Sequence, residues 1–136
     1  MRTRWRAGAA LSALSVSLVF WGALSAGAAA QSIFDFDDWM QRIDDGSQDL
    51  QRHIAARKRE AATDAAREIE QLYGLMEKYF EKRTDSADAV RISREGRELA
   101  ALLQKDLAGQ RFASAKTKAL EIAHGCRGCH IQYKPL

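Results

Sequence analysis

The sequence predicts an all-α fold, an up-down-up-down four-helix bundle. After residue 30 the chain contains a single proline, Pro135, which stands next to its end. Ala, Leu, Glu, Lys and Arg dominate this part of the sequence, and its few β-branched residues do not alternate with polar ones. Such a composition favours helices and gives no strand pattern. Four amphipathic helices joined by short turns would pack as an antiparallel bundle.

The first two predicted helices cover residues 35–57 and 63–82. Their apolar residues recur mainly at spacings of three, four and seven, which places them on one face of a helix. We place a turn between the helices because Thr63 or Asp64 would make a good N-cap for the second one. The first apolar face consists of Phe36, Trp39, Met40, Ile43, Leu50 and Ile54, and the second of Ala66, Ile69, Leu72, Tyr73, Met76, Tyr79 and Phe80.

The third and fourth predicted helices cover residues 87–108 and 110–133. A polar turn at residues 84–86 precedes the third helix, and Gly109 is typical of a C′ residue that ends one. In such a bundle the fourth helix ends beside the starts of the first and third helices and the end of the second. We therefore expect segments near residues 36–43, 76–83, 87–97 and 119–133 to meet at one end.

The first thirty residues have the pattern of a secretory signal peptide. Arg2, Arg4 and Arg6 precede an apolar stretch, and residues 28–30 give an A-x-A cleavage site before Gln31. We therefore expect a periplasmic protein whose single domain covers residues 31–136. An uncleaved membrane anchor stays open as an alternative, because the apolar stretch approaches spanning length.

The basic charge of the chain comes from this segment. The whole sequence has 21 Lys and Arg against 18 Asp and Glu, a net charge of +3. The segment holds three arginines and no acidic residue, so the remaining chain has equal numbers of basic and acidic side chains. Its charge gives no argument for a nucleic-acid or anionic-membrane partner, and we expect no stable membrane insertion once the segment is removed.

The motif that carries chemistry is C-x-x-C-H, formed by residues 126–130. This pattern is typical of c-type haem attachment, in which two thiols bind one haem covalently. Residues three and four apart share a face of a helix, so Cys126, Cys129 and His130 would point to one side. Imidazole is a common proximal ligand of haem iron. We expect one haem c per chain, with His130 on its iron.

Other interpretations of the two cysteines are weaker. A zinc site would need His53, His124 or His130 at none of the usual spacings. A thioredoxin-like pair belongs at the start of a helix in a βαβ unit, whereas this pair ends a helical stretch. A disulfide between residues three apart on a helix would be strained.

Met40 is the leading candidate for the second iron ligand, because it lies on the first apolar face at the expected haem end. Met76, or an open iron site, is the alternative. His53 lies thirteen residues beyond Met40, about 20 Å along a helix, which removes it as a ligand. His124 points off the haem face and is expected at the surface.

These residues resemble the class II cytochromes c, the cytochrome c prime family, over about residues 35–136. The resemblance consists of four helices, a C-x-x-C-H motif almost at the C-terminus, and the aromatic–basic pair Tyr133-Lys134 after it. It implies a haem between the helices at one end. Low-spin members place Met at the distal position and transfer electrons, whereas high-spin members place an apolar residue there and bind nitric oxide or carbon monoxide.

Matching the helix register of the family brings Met40 onto its distal position. Two departures concern the rest of the site. Phe36 stands where relatives often have an arginine near a haem propionate, so Arg42, Arg83, Arg91 or Arg94 would take that role. The turn between the second and third helices is also shorter than in many relatives. The family further implies a possible homodimer through the first helix.

The predicted function is that of a mono-haem electron carrier whose partners are other redox proteins. A gas-binding protein with an open iron, and a haem-free module closed by zinc or a disulfide, are the alternatives. We expect no enzyme activity, because no catalytic pair of carboxylates, Ser–His arrangement or phosphate loop stands out. The acidic run on the first helix (Asp35, Asp37, Asp38, Asp44, Asp45 and Asp49) is expected to be solvated surface rather than a docking face. A cavity should lie beside Cys126, Cys129 and His130.

Overall fold

The computed structural model describes residues 33–133. The predicted signal peptide, residues 1–30, therefore lies outside the described residues, as does Lys134 of the aromatic–basic pair. Four helices account for almost all of the described chain, and residues 33–133 contain no strand. For these described residues, the prediction of an all-α fold with four helices is confirmed. They are α1 (Ile33–Ala55), α2 (Arg59–Glu81), α3 (Ala87–Ala108) and α4 (Phe112–Tyr133).

Each helix packs against the next one along the chain, and α4 returns to contact α1. Within the described part of the chain, the diagonal pairs α1/α3 and α2/α4 make no close backbone contact. This arrangement is compatible with an up-down-up-down four-helix bundle. It brings the start of α1, the end of α2, the start of α3 and the end of α4 to one end of the molecule, which we call the motif end.

The predicted apolar faces form the core. Leu50, Ile69, Leu103 and Ile122, one from each helix, are at most 1% exposed. Burial of these faces is the main favourable contribution to folding, because each fully buried aliphatic side chain is worth roughly 1.5–3 kcal/mol. Met40, from the first predicted face, is only partly buried and packs against the core.

An aromatic cluster closes the motif end between α1 and α2. Phe36 stacks on Tyr79 with ring centroids 4.8 Å apart, and Phe80 meets Phe36 edge-on at 5.3 Å. Trp39 also packs edge-on against Tyr79. Aromatic pairs in such geometries add a stabilisation beyond their buried area. The cluster fixes how α1 and α2 meet beside the candidate site.

The boundary between α1 and α2 differs from the prediction. α1 ends with Arg57 in the left-handed region, at φ 53°. The Arg57 N–H donates to the Ile54 carbonyl and the Lys58 N–H to the His53 carbonyl, a Schellman pattern. α2 therefore begins at Arg59, and the predicted cap at Thr63 or Asp64 is wrong. Thr63 lies inside the helix, where its hydroxyl donates to the Arg59 carbonyl at 2.9 Å.

The end of α3 is correctly predicted, but its left-handed residue is not. Gly109 has φ −83° and Gln110 has φ 56°. The Arg111 N–H donates to the Asp106 carbonyl at 2.8 Å, which completes a second Schellman pattern around Gln110. Gly109 therefore does not supply the left-handed conformation, and a Cβ there would overlap the far end of the flexible Arg111 side chain, which can move aside. α4 consequently starts at Phe112 instead of residue 110.

The predicted polar turn before α3 is present and spans residues 82–86. Ser86 immediately precedes the helix, but its hydroxyl does not cap it. The hydroxyl instead donates to the carbonyls of Phe80 and Arg83, each at 2.9 Å. Ser86 therefore ties the end of α2 to the start of α3.

Within residues 33–133, no helix is both long enough and apolar enough to cross a membrane.

An ion-pair network around the buried carboxylate of Asp106 joins α3 to α4 at the end opposite the motif. The Asp106 carboxylate accepts hydrogen bonds from Arg111 Nε at 3.0 Å, Ser114 Oγ at 2.6 Å and Lys118 Nζ at 2.7 Å. The Lys118 and Ser114 bonds, with a smaller contribution from Arg111, hold the pKa of Asp106 well below its usual range although its burial acts in the opposite direction. The ionised carboxylate is thus the form that the fold stabilises.

Asp106→Asn should lower the free energy of unfolding by about 2 kcal/mol, the usual value for hydrogen bonds to a charged group. Because the pKa of Asp106 is depressed in the folded state, its contribution is complete above the unfolded value of about 3.9 and is lost as the pH falls below it. Urea unfolding at several pH values measures both effects. Asp64→Asn, in an exposed pair with Arg67, is the control and should cost less than about 0.5 kcal/mol. Equal losses in the two variants would contradict the assignment.

Candidate functional site

The end of α4 carries the C-x-x-C-H motif without a break in the helix. α4 remains helical through Cys126, Cys129 and His130 and ends at Tyr133. The helical spacing brings these three side chains to the wall of a single cleft. Cys129 is buried, while Cys126 and His130 are partly buried. The structure therefore unites the three predicted motif residues on one face.

The other walls of the cleft come from the remaining three helices. α1 contributes Met40, Ile43 and Asp44, α2 contributes Tyr73 and Met76, and α3 contributes Ile92. The exposed surface of this lining is mainly apolar. The predicted distal candidate Met40 and its alternative Met76 thus face the same space as the motif. Tyr73 extends the site about one turn deeper into the bundle than the sequence predicts, and Asp44 directly follows the predicted segment of α1.

The expected cavity lies at the predicted place, but it is much smaller than a haem. Its water-accessible volume is only about 20 Å³, which is room for about one water molecule. Tyr73 and Met76, which line the cleft, are 3% and 2% exposed. A flat macrocycle would enter only if the helices around the cleft moved apart.

The junction of α1 and α4 is where such an opening would cost least. These two helices make the sparsest contact of the four neighbouring pairs. Gly125 and Gly128 flank Cys126 on α4, and a Cβ at either position would meet no described atom within 4 Å. The thiols, imidazole and thioethers that line the cleft are the groups that a covalent haem requires. The space for the haem would come from displacement of α4 away from α1.

The two thiols are free and largely withdrawn from water. Burial raises the pKa of Cys126, and burial followed by the charges of Cys126 and Asp88 raises the pKa of Cys129 to about 11. Both residues are therefore neutral thiols near pH 7. The Cys126 S–H donates to the Ile122 carbonyl at 3.5 Å.

Tyr73 is the site residue that the sequence analysis missed. It is 3% exposed, and its hydroxyl oxygen lies 3.6 Å from the Cys126 sulfur. Burial, followed by the neighbouring Cys126, raises the pKa of Tyr73 well above its usual value, so the phenol keeps its proton. The signal that could have found it is Gly96, which lies inside the third predicted helix, because a glycine in a helix interior indicates a close approach by another group.

The other two histidines lie away from the cleft. His124 is exposed, as expected, and its Nδ1 lies 3.0 Å from an Arg127 nitrogen. His53 belongs to the last turn of α1 at the opposite end of the bundle. Neither of them lines the cleft.

The structure distinguishes among the four arginines considered for a haem propionate. Three of them pair with a carboxylate: Arg42 with Glu68 at 2.6 Å, Arg91 with Glu95 at 2.8 Å, and Arg94 with Glu77 at 2.7 Å. Arg83 has no carboxylate partner among the described residues. Its guanidinium lies over the Tyr79 ring, 3.5 Å from the centroid, at the motif end. Arg83 is therefore the candidate that would lose least by turning to a new anion.

The acidic run on α1 lies mostly at the surface. Asp35, Asp37, Asp38, Asp44 and Asp45 are exposed, and Asp49 is partly buried and paired with Arg52. Asp44 is the member of this run that also lines the cleft.

The described residues offer little support for a clasp of zinc or a disulfide. No three His, Cys, Asp or Glu side chains within residues 33–133 lie close enough to hold a metal ion together. A haem needs fewer protein ligands, because the porphyrin itself supplies four of the iron's bonds and an axial histidine is a common protein ligand.

Comparison with protein-family models, curated protein sequences and solved structures finds no match for this chain.

The buried thiols should react slowly in the folded, haem-free chain. Alkylation requires the thiolate, and a pKa of about 11 for Cys129 against an ordinary value of about 8.5 predicts a rate at pH 7 roughly 10²-fold below that of the unfolded chain. The rate should rise about tenfold per pH unit. Peptide mass mapping after iodoacetamide treatment measures it, with the same chain in urea as the control. Equal rates in the two samples would contradict the burial of Cys129.

Proposed function

We propose that the chain is a periplasmic mono-haem c-type cytochrome that carries electrons. Cys126 and Cys129 would hold one haem c through thioether bonds, and His130 would be its proximal iron ligand. Met40 would be the distal ligand, as in the low-spin class II cytochromes c that the sequence resembles. The predicted signal peptide supports a periplasmic location. This location agrees with the C-x-x-C-H motif, because c-type haem is attached outside the cytoplasm.

The observation that carries this proposal is the convergence of soft and imidazole ligands on one cleft. The chain after residue 30 contains two cysteines and two methionines. All four of these residues line the same cleft, together with His130. They come from three different helices, so neighbouring positions in the sequence do not account for their meeting. Thiols for covalent attachment, a histidine and a thioether are the groups that an electron-carrying cytochrome uses.

The residues of the cleft would have different roles in such a site. When bound, the haem supplies the electron-transfer chemistry. His130 and the two cysteines fix the position of the group on α4. Met40, on α1, would close the opposite side, and a thioether there favours the reduced state and raises the potential. Ile43, Met76 and Ile92 exclude water, and Arg83 would bind a propionate at the motif end.

The location of the cleft also suggests how electrons would enter and leave. It lies at one end of the bundle, next to the partly buried His130 and the exposed Arg127. A haem held there would have an edge close to the surface. Partner redox proteins would meet that edge in a small transient interface.

A gas-binding protein is the second candidate, and the position of Ile43 favours it. Met40 is only partly buried, and Ile43, one turn further along α1, also lines the cleft. If Ile43 rather than Met40 faced the iron, the distal position would be open and apolar. Such a site would bind nitric oxide or carbon monoxide.

The visible spectrum of the protein purified from the periplasm separates the two functions. An electron carrier should be low-spin in both oxidation states, and carbon monoxide should leave the spectrum of the reduced protein unchanged. A high-spin spectrum that shifts at once with carbon monoxide would establish the gas-binding alternative. A colourless protein would contradict both.

Met40→Ala should convert the haem iron from low-spin to high-spin and allow rapid binding of carbon monoxide, because the thioether ligand is removed. Met76→Ala is the matched control, since it removes the other thioether of the cleft and should leave the iron low-spin. Optical spectra of both variants, with and without carbon monoxide, measure the result. A Met40→Ala protein that stays low-spin, or a Met76→Ala protein that becomes high-spin, would refute Met40 as the ligand.

A further inference from the structure

Tyr73 makes a contact between helices that are not neighbours. It belongs to α2, whereas Cys126 belongs to α4, and the described residues of these diagonal helices have no close backbone contact. The Tyr73 hydroxyl nevertheless reaches to 3.6 Å from the Cys126 sulfur. A side chain as long as tyrosine is needed to cross that distance. The contact therefore lies at the centre of the bundle, in the floor of the cleft.

Gly96 on α3 makes room for this crossing. A Cβ at position 96 would lie 2.6 Å from Cζ of Tyr73 and 2.7 Å from its Cε1, closer than real Cβ atoms come to other heavy atoms. A glycine in a helix interior costs roughly 0.5–1 kcal/mol relative to alanine. The glycine stands at the point where the hydroxyl end of the Tyr73 ring packs against α3. The position of the hydroxyl is thus fixed by a second helix.

The direction of the hydrogen bond follows from the chemistry of the two groups. A free Cys126 thiol can donate, and it donates to the Ile122 carbonyl at 3.5 Å. Once Cys126 carries a thioether it has no hydrogen, and its sulfur can only accept. The buried phenol retains its hydrogen, so Tyr73 is then the donor. Cys129 differs, because no described residue forms a hydrogen bond to its sulfur.

We infer that Tyr73 is a positioning residue for Cys126, and that its hydroxyl donates a hydrogen bond to the thioether sulfur which Cys126 forms with the haem. This inference rests on the proposed function. A donor at that sulfur withdraws electron density from one edge of the macrocycle and so stabilises the reduced state. The two attachment sulfurs are then unequal: Cys126 is polarised by Tyr73, and the sulfur of Cys129 receives no hydrogen bond from a described residue.

The test compares the reduction potentials of two holoprotein variants. Tyr73→Phe removes the donor and keeps the ring, so the potential should fall while the iron keeps its ligands and its low-spin spectrum. Tyr79→Phe is the matched control, because Tyr79 is an equally buried tyrosine on the same helix whose ring packs on Phe36. Its potential should equal that of the parent. An unchanged potential in Tyr73→Phe, or an equal fall in Tyr79→Phe, overturns the inference.

Gly96→Ala provides an independent variant. The added methyl group should push the Tyr73 hydroxyl away from Cys126, which lowers the potential in the same direction. In the double variant Gly96→Ala and Tyr73→Phe, the second change should add nothing, because both act through one hydrogen bond. Additive shifts would overturn the inference.

The failure of this inference can be distinguished from failure of the proposed function. If the parent protein carries no haem, the proposed function fails. The infrared S–H stretch of the haem-free full chain then shows whether the Tyr73 hydroxyl forms a hydrogen bond to the Cys126 sulfur. In a Cys129→Ala background the band reports Cys126 alone. A band that Tyr73→Phe shifts supports the positioning of the sulfur by Tyr73, and an unmoved band overturns it.

Discussion

The helical continuity of α4 is the constraint on which the candidate site depends. The helix runs from Phe112 to Tyr133 with no interruption at the motif. Only a helix places residues three and four apart on the same face, and this spacing aims Cys126, Cys129 and His130 into the bundle. The apolar faces of the other helices then surround that point. A break at Gly128 would separate Cys126 from Cys129 and His130.

The two ends of the molecule have different physical properties. Opposite the motif, a buried carboxylate ties α3 to α4 through Arg111, Ser114 and Lys118. At the motif end the cleft is lined mainly by apolar and sulfur-containing side chains, and α1 meets α4 sparsely. Regions with few stabilising contacts open most readily. The arrangement therefore combines a fixed end with an end that would have to open, and could open more readily, to admit a ligand.

Much of this could be predicted from the sequence, and the reasons are physical. Apolar periodicity places a residue on a helix face, so four helices and the meeting of Met40 with the motif were predictable. Periodicity says nothing about how a helix ends. Arg57 and Gln110 adopt left-handed conformations that glycine usually supplies, and the sequence therefore misplaced the starts of α2 and α4. Tyr73 was predicted only as a core residue, because apolar periodicity does not show how far a side chain reaches across the bundle. The sequence also could not single out Arg83 as the arginine for a haem propionate, because only the structure shows that the other three candidates are paired with carboxylates.

The most direct test of the central claim is the mass of the intact protein, purified from the periplasm and denatured before measurement. Denaturation releases a haem that is held only by burial or by iron ligands, whereas thioether bonds survive it. We expect a chain whose mass includes one haem, and a proteolytic peptide containing Cys126 and Cys129 that carries it. A chain with the mass of its amino acids alone, and no haem on that peptide, would contradict it.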